Sequence, residues 1–197
     1  MISLAGLVAA GLWAQRKNPS ACPYALRFFV EGPHPGIPRA RLLELLSPEP
    51  GERILEIGPG TGYYSLDVAP RLDGGTLEIF DVQQEMLDHT VRKATEAGVD
   101  NIVPTLGDAR TLPYGDASFD AAFLVTVLGE VPDQDAALRE LARVLKPGGR
   151  LVVGETFVGD PHVVRFGTLC ERAGLAGLAF ERRLGSPLGY FARFRKP

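Results

Sequence analysis

The run Ile54-Leu55-Glu56-Ile57-Gly58-Pro59-Gly60-Thr61-Gly62 sets three glycines at alternate positions directly behind an apolar segment. A strand that feeds a glycine-rich turn and then a helix gathers main-chain N–H groups at one point and adds the positive end of a helix dipole. Glycine permits the tight turn and lets a ligand come close to the backbone. The spacing is GxGxG, not the GxGxxG of the dinucleotide fingerprint. A purely structural glycine turn is the alternative. Nineteen residues past Gly62, Asp81 closes the next apolar run. A carboxylate there can accept from both hydroxyls of an adenosine ribose, with Val82 packing beside the base. Gly107-Asp108-Ala109 closes a third run. Asp108 can accept from an adenine amino group, although Gly-Asp is also a common turn.

Three side chains are candidates for taking a proton from a bound nucleophile. Glu130 follows the fourth apolar run, at the sheet edge where ligands bind in open α/β folds. His34 sits in a proline-rich loop that can fold over the pocket, and His162 follows the fifth run. For each, an ordinary surface role is the alternative. His89 reads as a structural residue in mid-helix. Tyr24, Phe28, Phe29, Tyr63 and Tyr64 can furnish an apolar wall.

The elements that must position these groups alternate. Strands are expected at Arg53–Ile57, Thr76–Phe80, Asn101–Thr105, Phe119–Val125 and Arg150–Glu155. Helices are expected from Thr61 to Pro70, Gln84 to Ala97, Asp133 to Leu145 and Pro161 to Ala173. In the helix from Asp133, Leu138, Leu141, Ala142 and Leu145 share one face. Gly98 reads as the end cap of the helix from Gln84. Leu178–Leu184 and Tyr190–Arg195 read as an antiparallel pair. Alternating strand and helix implies an α/β fold, a parallel sheet with helices on both faces and right-handed crossovers.

The chain has 197 residues, with 21 Lys and Arg against 24 Asp and Glu and a net charge of −3. Such a chain is not built to wrap a polyanion, so nucleic acid is not expected as a partner. Cys22 and Cys170 show no metal-ligand spacing; free thiols in a reducing cytoplasm are the simplest reading, one disulfide the alternative. No metal site is expected. The expected organisation is 1–50, comprising an apolar helix, a Pro-rich loop and a capping helix from Arg39 to Leu46, followed by a ligand-binding domain over 51–197. Met1–Ala14 is almost wholly apolar, yet about 14 residues are too few to span a bilayer. Three readings fit it: a helix packed on the domain or across a homodimer, a segment of residues 1–17 lying peripherally in a membrane interface, or a leader.

Taken together, the glycine loop, Asp81 and Gly107-Asp108-Ala109 resemble the class I S-adenosylmethionine-dependent methyltransferases. The resemblance continues through Leu112-Pro113-Tyr114-Gly115-Asp116-Ala117-Ser118-Phe119-Asp120 and Arg143-Val144-Leu145-Lys146-Pro147-Gly148-Gly149-Arg150, over about half the chain. The small-molecule type, near the ubiquinone and menaquinone C-methyltransferases, is the most similar. It implies a Rossmann-like seven-stranded sheet in the order 3-2-1-4-5-7-6 with strand 7 antiparallel. It implies S-adenosylmethionine as cofactor. Glu56, Gly58, Pro59, Gly60, Thr61 and Gly62 would lie at its methionine end. Asp81 and Val82 would take the ribose and adenine side, Asp108 and Ala109 the adenine edge, and Val125, Thr126 and Val127 the region of the methionyl part and the transferable methyl. The position after the fourth strand reads Thr126-Val127-Leu128-Gly129-Glu130, which lacks the Asn/Asp-Pro-Pro-Tyr/Phe motif of nucleic-acid amino-methyltransferases. The expected acceptor is a small molecule, lipophilic or aromatic, and the apolar N-terminus would fit a lipophilic one reached at a membrane surface. A nicotinamide-dependent oxidoreductase and a catalytically inactive S-adenosylmethionine-binding protein are the competing expectations.

Overall fold

A computed structural model describes residues 19–31, 34 and 36–197; the apolar run at residues 1–17 lies outside it. Seven strands form one sheet in the order β3-β2-β1-β4-β5-β7-β6. They are Arg53–Ile57 (β1), Thr76–Asp81 (β2), Ile102–Leu106 (β3), Phe119–Val125 (β4), Leu145–Thr156 (β5), Ala179–Ser186 (β6) and Gly189–Arg195 (β7). β7 runs antiparallel to both of its neighbours, and the pairs β1–β2, β1–β4, β2–β3 and β4–β5 are parallel. The sheet order and the single reversed strand match expectation.

Because successive strand residues point to opposite faces, each central strand feeds two cores. Ile54, Ala121, Phe123 and Val152 pack on one face, with Leu42, Leu45 and Leu46 of helix Arg39–Leu46 and Leu87 of helix Gln84–Glu96. Leu55, Ala122, Leu124 and Val153 pack on the other, with Leu138 and Leu141 of helix Gln134–Val144 and Leu169 and Ala173 of helix Phe166–Leu175. With the short helices Phe28–Glu31 and Ser65–Val68 counted, these six are α1 (Phe28–Glu31), α2 (Arg39–Leu46), α3 (Ser65–Val68), α4 (Gln84–Glu96), α5 (Gln134–Val144) and α6 (Phe166–Leu175). Burying a Leu or Phe side chain contributes roughly 1.5–3 kcal/mol, so the two layers are what hold the strands in register.

Three elements differ from expectation. The helix expected from Thr61 to Pro70 is regular only at α3, with a 3-10 turn at Ala69–Arg71. Gly62 has φ +79°, which no right-handed helix accommodates. The helix expected from Pro161 starts at Phe166. Asp160 Oδ1 accepts from the His162 N–H at 2.7 Å and Glu155 Oε2 from the Val164 N–H at 3.1 Å, which hold 160–164 as a loop. β5 begins at Leu145, directly after α5, and absorbs Lys146-Pro147-Gly148-Gly149 in a bulge between its pairings with Phe119 and Ala121. Helix ends follow the local signals: the Asp133 carboxylate accepts from the Ala136 N–H at 2.9 Å at the start of α5, and Gly98 takes φ +71° after α4.

Candidate functional site

Parallel pairing decides where the site lies. Ile57 is in register with Phe80 on β2 and with Leu124 on β4. The residues that follow, Gly58, Asp81 and Val125, therefore emerge side by side at the carboxyl edge of the sheet. A cavity of about 400 Å³ opens over them, within the usual size of a small-molecule site.

The glycine loop forms its floor. Gly58 and Gly60 take φ +67° and +58°. The Gly58 N–H donates to the Phe80 carbonyl at 2.8 Å, and the Thr90 hydroxyl donates to the Gly60 carbonyl at 3.1 Å, which fixes the loop from behind. A Cβ on Gly58 would collide with the Val127 side chain. Glycine is required there by both backbone conformation and space.

Asp81 is 8% exposed and lines the cavity. Its Oδ1 accepts from the Gln83 N–H at 2.9 Å. Burial pushes its pKa up to about 6, opposed by hydrogen bonds from the Gln83 and Val82 backbone. A buried carboxylate with acceptor capacity to spare suits a pair of ligand hydroxyls. Asp108 is held bidentately by Arg110, at 2.6 Å for the shortest contact, and this pairing keeps its pKa below the usual range. Thr126 follows Val125 with φ +57°, an outlier for a β-branched residue. Its N–H donates to the Gly154 carbonyl at 2.8 Å and its hydroxyl to the Val125 carbonyl at 2.7 Å. Such strain costs about 1–3 kcal/mol and clusters at functional sites.

Of the expected site residues, Gly58, Pro59, Gly60, Thr61, Asp81, Val82, Asp108, Ala109, Val125, Thr126, His34 and Glu130 line this one cavity. Glu56 and Gly62 do not. Glu56 is 2% exposed and accepts from the Ser65 hydroxyl at 2.5 Å, beneath the loop. Burial pushes its pKa up to about 8, against the Ser65 hydrogen bond and with a smaller push from Asp81. Gly62 lies against Thr90 instead. His34 packs edge-on against Tyr63, ring centroids 4.8 Å apart. Tyr63 and Tyr64 join it in the cavity wall, with the Tyr64 hydroxyl donating to the Ile37 carbonyl at 2.7 Å. The Glu130 carboxyl is raised to about 8 by burial, then by Asp160 and Asp81, while a hydrogen bond from the Cys22 N–H lowers it. His162 lines a neighbouring depression rather than this cavity. His89 meets the Tyr24 hydroxyl at 3.1 Å and Glu31 at 3.6 Å. Phe28 is 66% exposed. Both cysteines are free thiols.

Residues 19–22, Gln83, Met86, Arg110, Val127 and Val131 also line the cavity. Val127 was expected there with Val125 and Thr126, and Gln83 stands next to Val82 and was within reach of a local reading. Cys22 was not, since its partner Glu130 is 108 residues away. Among the described residues no cluster has metal-ligand composition and no helix is long and apolar enough to cross a membrane.

A sheet of this order with its last strand reversed, a glycine floor over β1 and an acidic group over β2 define the class I S-adenosylmethionine-binding fold. The left-handed Gly58 and Gly60, which leave main chain lining the cavity, and the buried Asp81 carboxylate fit that cofactor's main-chain contacts and ribose. Residues 54–149 match the family model described as Methyltransferase domain. This domain belongs to the class I S-adenosylmethionine-dependent methyltransferases, whose cofactor is S-adenosylmethionine. A demethylmenaquinone methyltransferase of Corynebacterium efficiens is 39% identical over 132 residues, 66% of this chain and 52% of that protein. A 27-O-demethylrifamycin SV methyltransferase of Amycolatopsis mediterranei is 36% identical over 116 residues, 58% of this chain and 42% of that protein. The solved structure of an S-adenosylmethionine-dependent methyltransferase from Aquifex aeolicus shares the fold, with TM-score 0.82 at 19% identity, covering 90% of this chain and 100% of that one. The chain spans about half the length of the curated relatives it matches.

Proposed function

We infer that the protein transfers the methyl group of S-adenosylmethionine to a small acceptor, lipophilic or aromatic, by in-line displacement. The observation that carries this reading is that the glycine cradle, Asp81 and the aromatic wall of His34, Tyr63 and Tyr64 share one cavity. The named substrates of two relatives, a demethylmenaquinone and a demethylrifamycin, support an acceptor of this kind. The cofactor, when bound, supplies a methyl already activated by its sulfonium.

The chain's own residues then have to orient and exclude water, which is worth about 7–11 kcal/mol in ideal cases. Asp81 accepts from the ribose hydroxyls, and Val82 packs beside the adenine. Asp108, steadied by Arg110, and the Ala109 backbone face the adenine edge. Gly58, Pro59, Gly60 and Thr61 bring main chain to the methionine end, with Glu56 and Gly62 shaping the loop from behind. Val125 and Thr126 flank the methyl. A base is needed only where the acceptor must lose a proton. Glu130, whose carboxyl burial pushes up to about 8, is largely protonated at neutral pH and becomes a base as pH rises through about 8, and His34 is the second candidate. Contact of residues 1–17 with a membrane surface, and pairing of two copies, belong to this reading as ways of meeting a lipophilic acceptor; deleting residues 1–17 without loss of vesicle binding would sink the first.

Calorimetry of S-adenosylmethionine and S-adenosylhomocysteine on wild type and Asp81→Ala tests the reading, followed by an acceptor screen with labelled methyl donor. Binding by wild type that is lost in the variant, with label in an acceptor, is the expected result. Binding without transfer to any acceptor would favour a protein that holds the cofactor and does not turn it over. Binding of a nicotinamide cofactor in its place would overturn the reading.

A further inference from the structure

Pro19, Ser20, Ala21 and Cys22 line the same cavity as the glycine loop, although they lie far from it in sequence. Side chains from two walls hold this stretch. Gln83, two residues beyond Asp81, uses both ends of its amide. Its Nε2 donates to the Cys22 carbonyl at 2.9 Å, and its Oε1 accepts from the Tyr24 N–H at 3.0 Å. From the β4 side the Glu130 carboxylate accepts from the Cys22 N–H at 3.2 Å. β2 and β4 flank β1 on opposite sides, so the Cys22 backbone bridges the two walls above the glycine loop. The Gln83 N–H also donates to Asp81 Oδ1. One residue grips the ribose-side carboxylate with its main chain and the overlying segment with its side chain.

The position of Gln83 makes this arrangement informative. It is the N-cap of α4, where a side chain ordinarily accepts from the first free N–H groups of the helix. Gln83 makes no such cap. Its amide instead goes to residues 61 and 59 positions away.

We propose that Gln83 is a positioning residue that latches residues 19–24 as a roof over bound S-adenosylmethionine, so that the orientation of Asp81 and closure of the roof are set together. This rests on the cavity being the cofactor site. The latch slows cofactor release and keeps water from the ribose end.

The test uses the full chain as wild type, Gln83→Ala and Gln83→Ser, with S-adenosylhomocysteine as the probe. Serine is a good helix N-cap and cannot span to Cys22 and Tyr24, so it separates the latch from helix stability. Loss of two neutral hydrogen bonds predicts roughly tenfold faster release of the probe from both variants. The melting temperature of ligand-free Gln83→Ser is expected to exceed that of Gln83→Ala, because serine restores a helix cap that neither glutamine nor alanine supplies. The probe is also expected to protect the bond after Arg27 from trypsin in wild type and not in the variants. Release at the wild-type rate with protection intact would overturn the proposal. So would a release rate that returns to the wild-type value in Gln83→Ser as its melting temperature rises above that of Gln83→Ala, which would assign Gln83 to helix folding. A wild type that binds no probe overturns the cofactor reading itself, and the latch with it.

Discussion

Gly58 lies directly under the Val127 side chain, and no room for a Cβ separates them. The contact joins the end of β1 to the turn after β4 and sets the height of the cavity floor. Gly58→Ala therefore meets two obstacles, a left-handed backbone (φ +67°) and a collision. We expect it to lose about 1–3 kcal/mol of stability and most of its S-adenosylhomocysteine affinity. Adding Val127→Ala relieves the collision and leaves the backbone cost, so stability returns in part. Urea unfolding of the single and double variants, with calorimetry, checks this; a single variant as stable and as tight-binding as wild type would refute it.

Cofactor binding is expected to depend on pH through Asp81. Burial holds its pKa up at about 6, and ribose hydroxyls need the ionised form as acceptor. Affinity for S-adenosylhomocysteine should be flat near pH 8, and should fall as pH drops through about 6, by up to about tenfold per unit below it. Asp81→Asn should bind weakly with no such fall. Calorimetry from pH 5 to pH 8 reads this directly, and a flat wild-type profile would exclude Asp81 as the group responsible.

Glu56 makes a separable claim about stability. Its pKa is raised from 4.5 to about 8 in the folded chain, first by burial. The folded state thus holds this proton more tightly than the unfolded state. Its contribution to stability is full below pH 4.5 and is lost as pH rises to about 8. Glu56→Gln keeps an oxygen for the Ser65 hydroxyl and cannot ionise. The stability difference between variant and wild type should shift in favour of the variant between pH 5 and pH 8 and then level off. Urea unfolding at pH 5, 7 and 9 tests it; a difference constant in pH would show that Glu56 ionises freely in the folded chain.

Much of this molecule is legible along the chain because the signals are local. Strand residues alternate or run apolar, helix faces repeat, and the Asp133 and Gly98 caps declare helix ends within a few residues. The helix expected from Thr61 failed for a local reason as well, since Gly62 turns left-handed before a helix can form. The loop at 160–164 was not legible, because a carboxylate on β5, Glu155, reaches over to pin Val164.

By itself the sequence determined the alternation of elements, the glycine floor and the acidic group one strand over, since backbone freedom and side-chain period act within a few residues. Parallel pairing then leaves those groups no choice but the same sheet edge. Only the tertiary structure decided that Glu56 lies beneath the loop rather than in the cavity, that His34 and Glu130 reach one pocket while His162 does not, and that Cys22 and Gln83 meet in its wall. Those outcomes rest on contacts between residues tens of positions apart, whose formation depends on how whole layers pack and leaves no period in the chain to read.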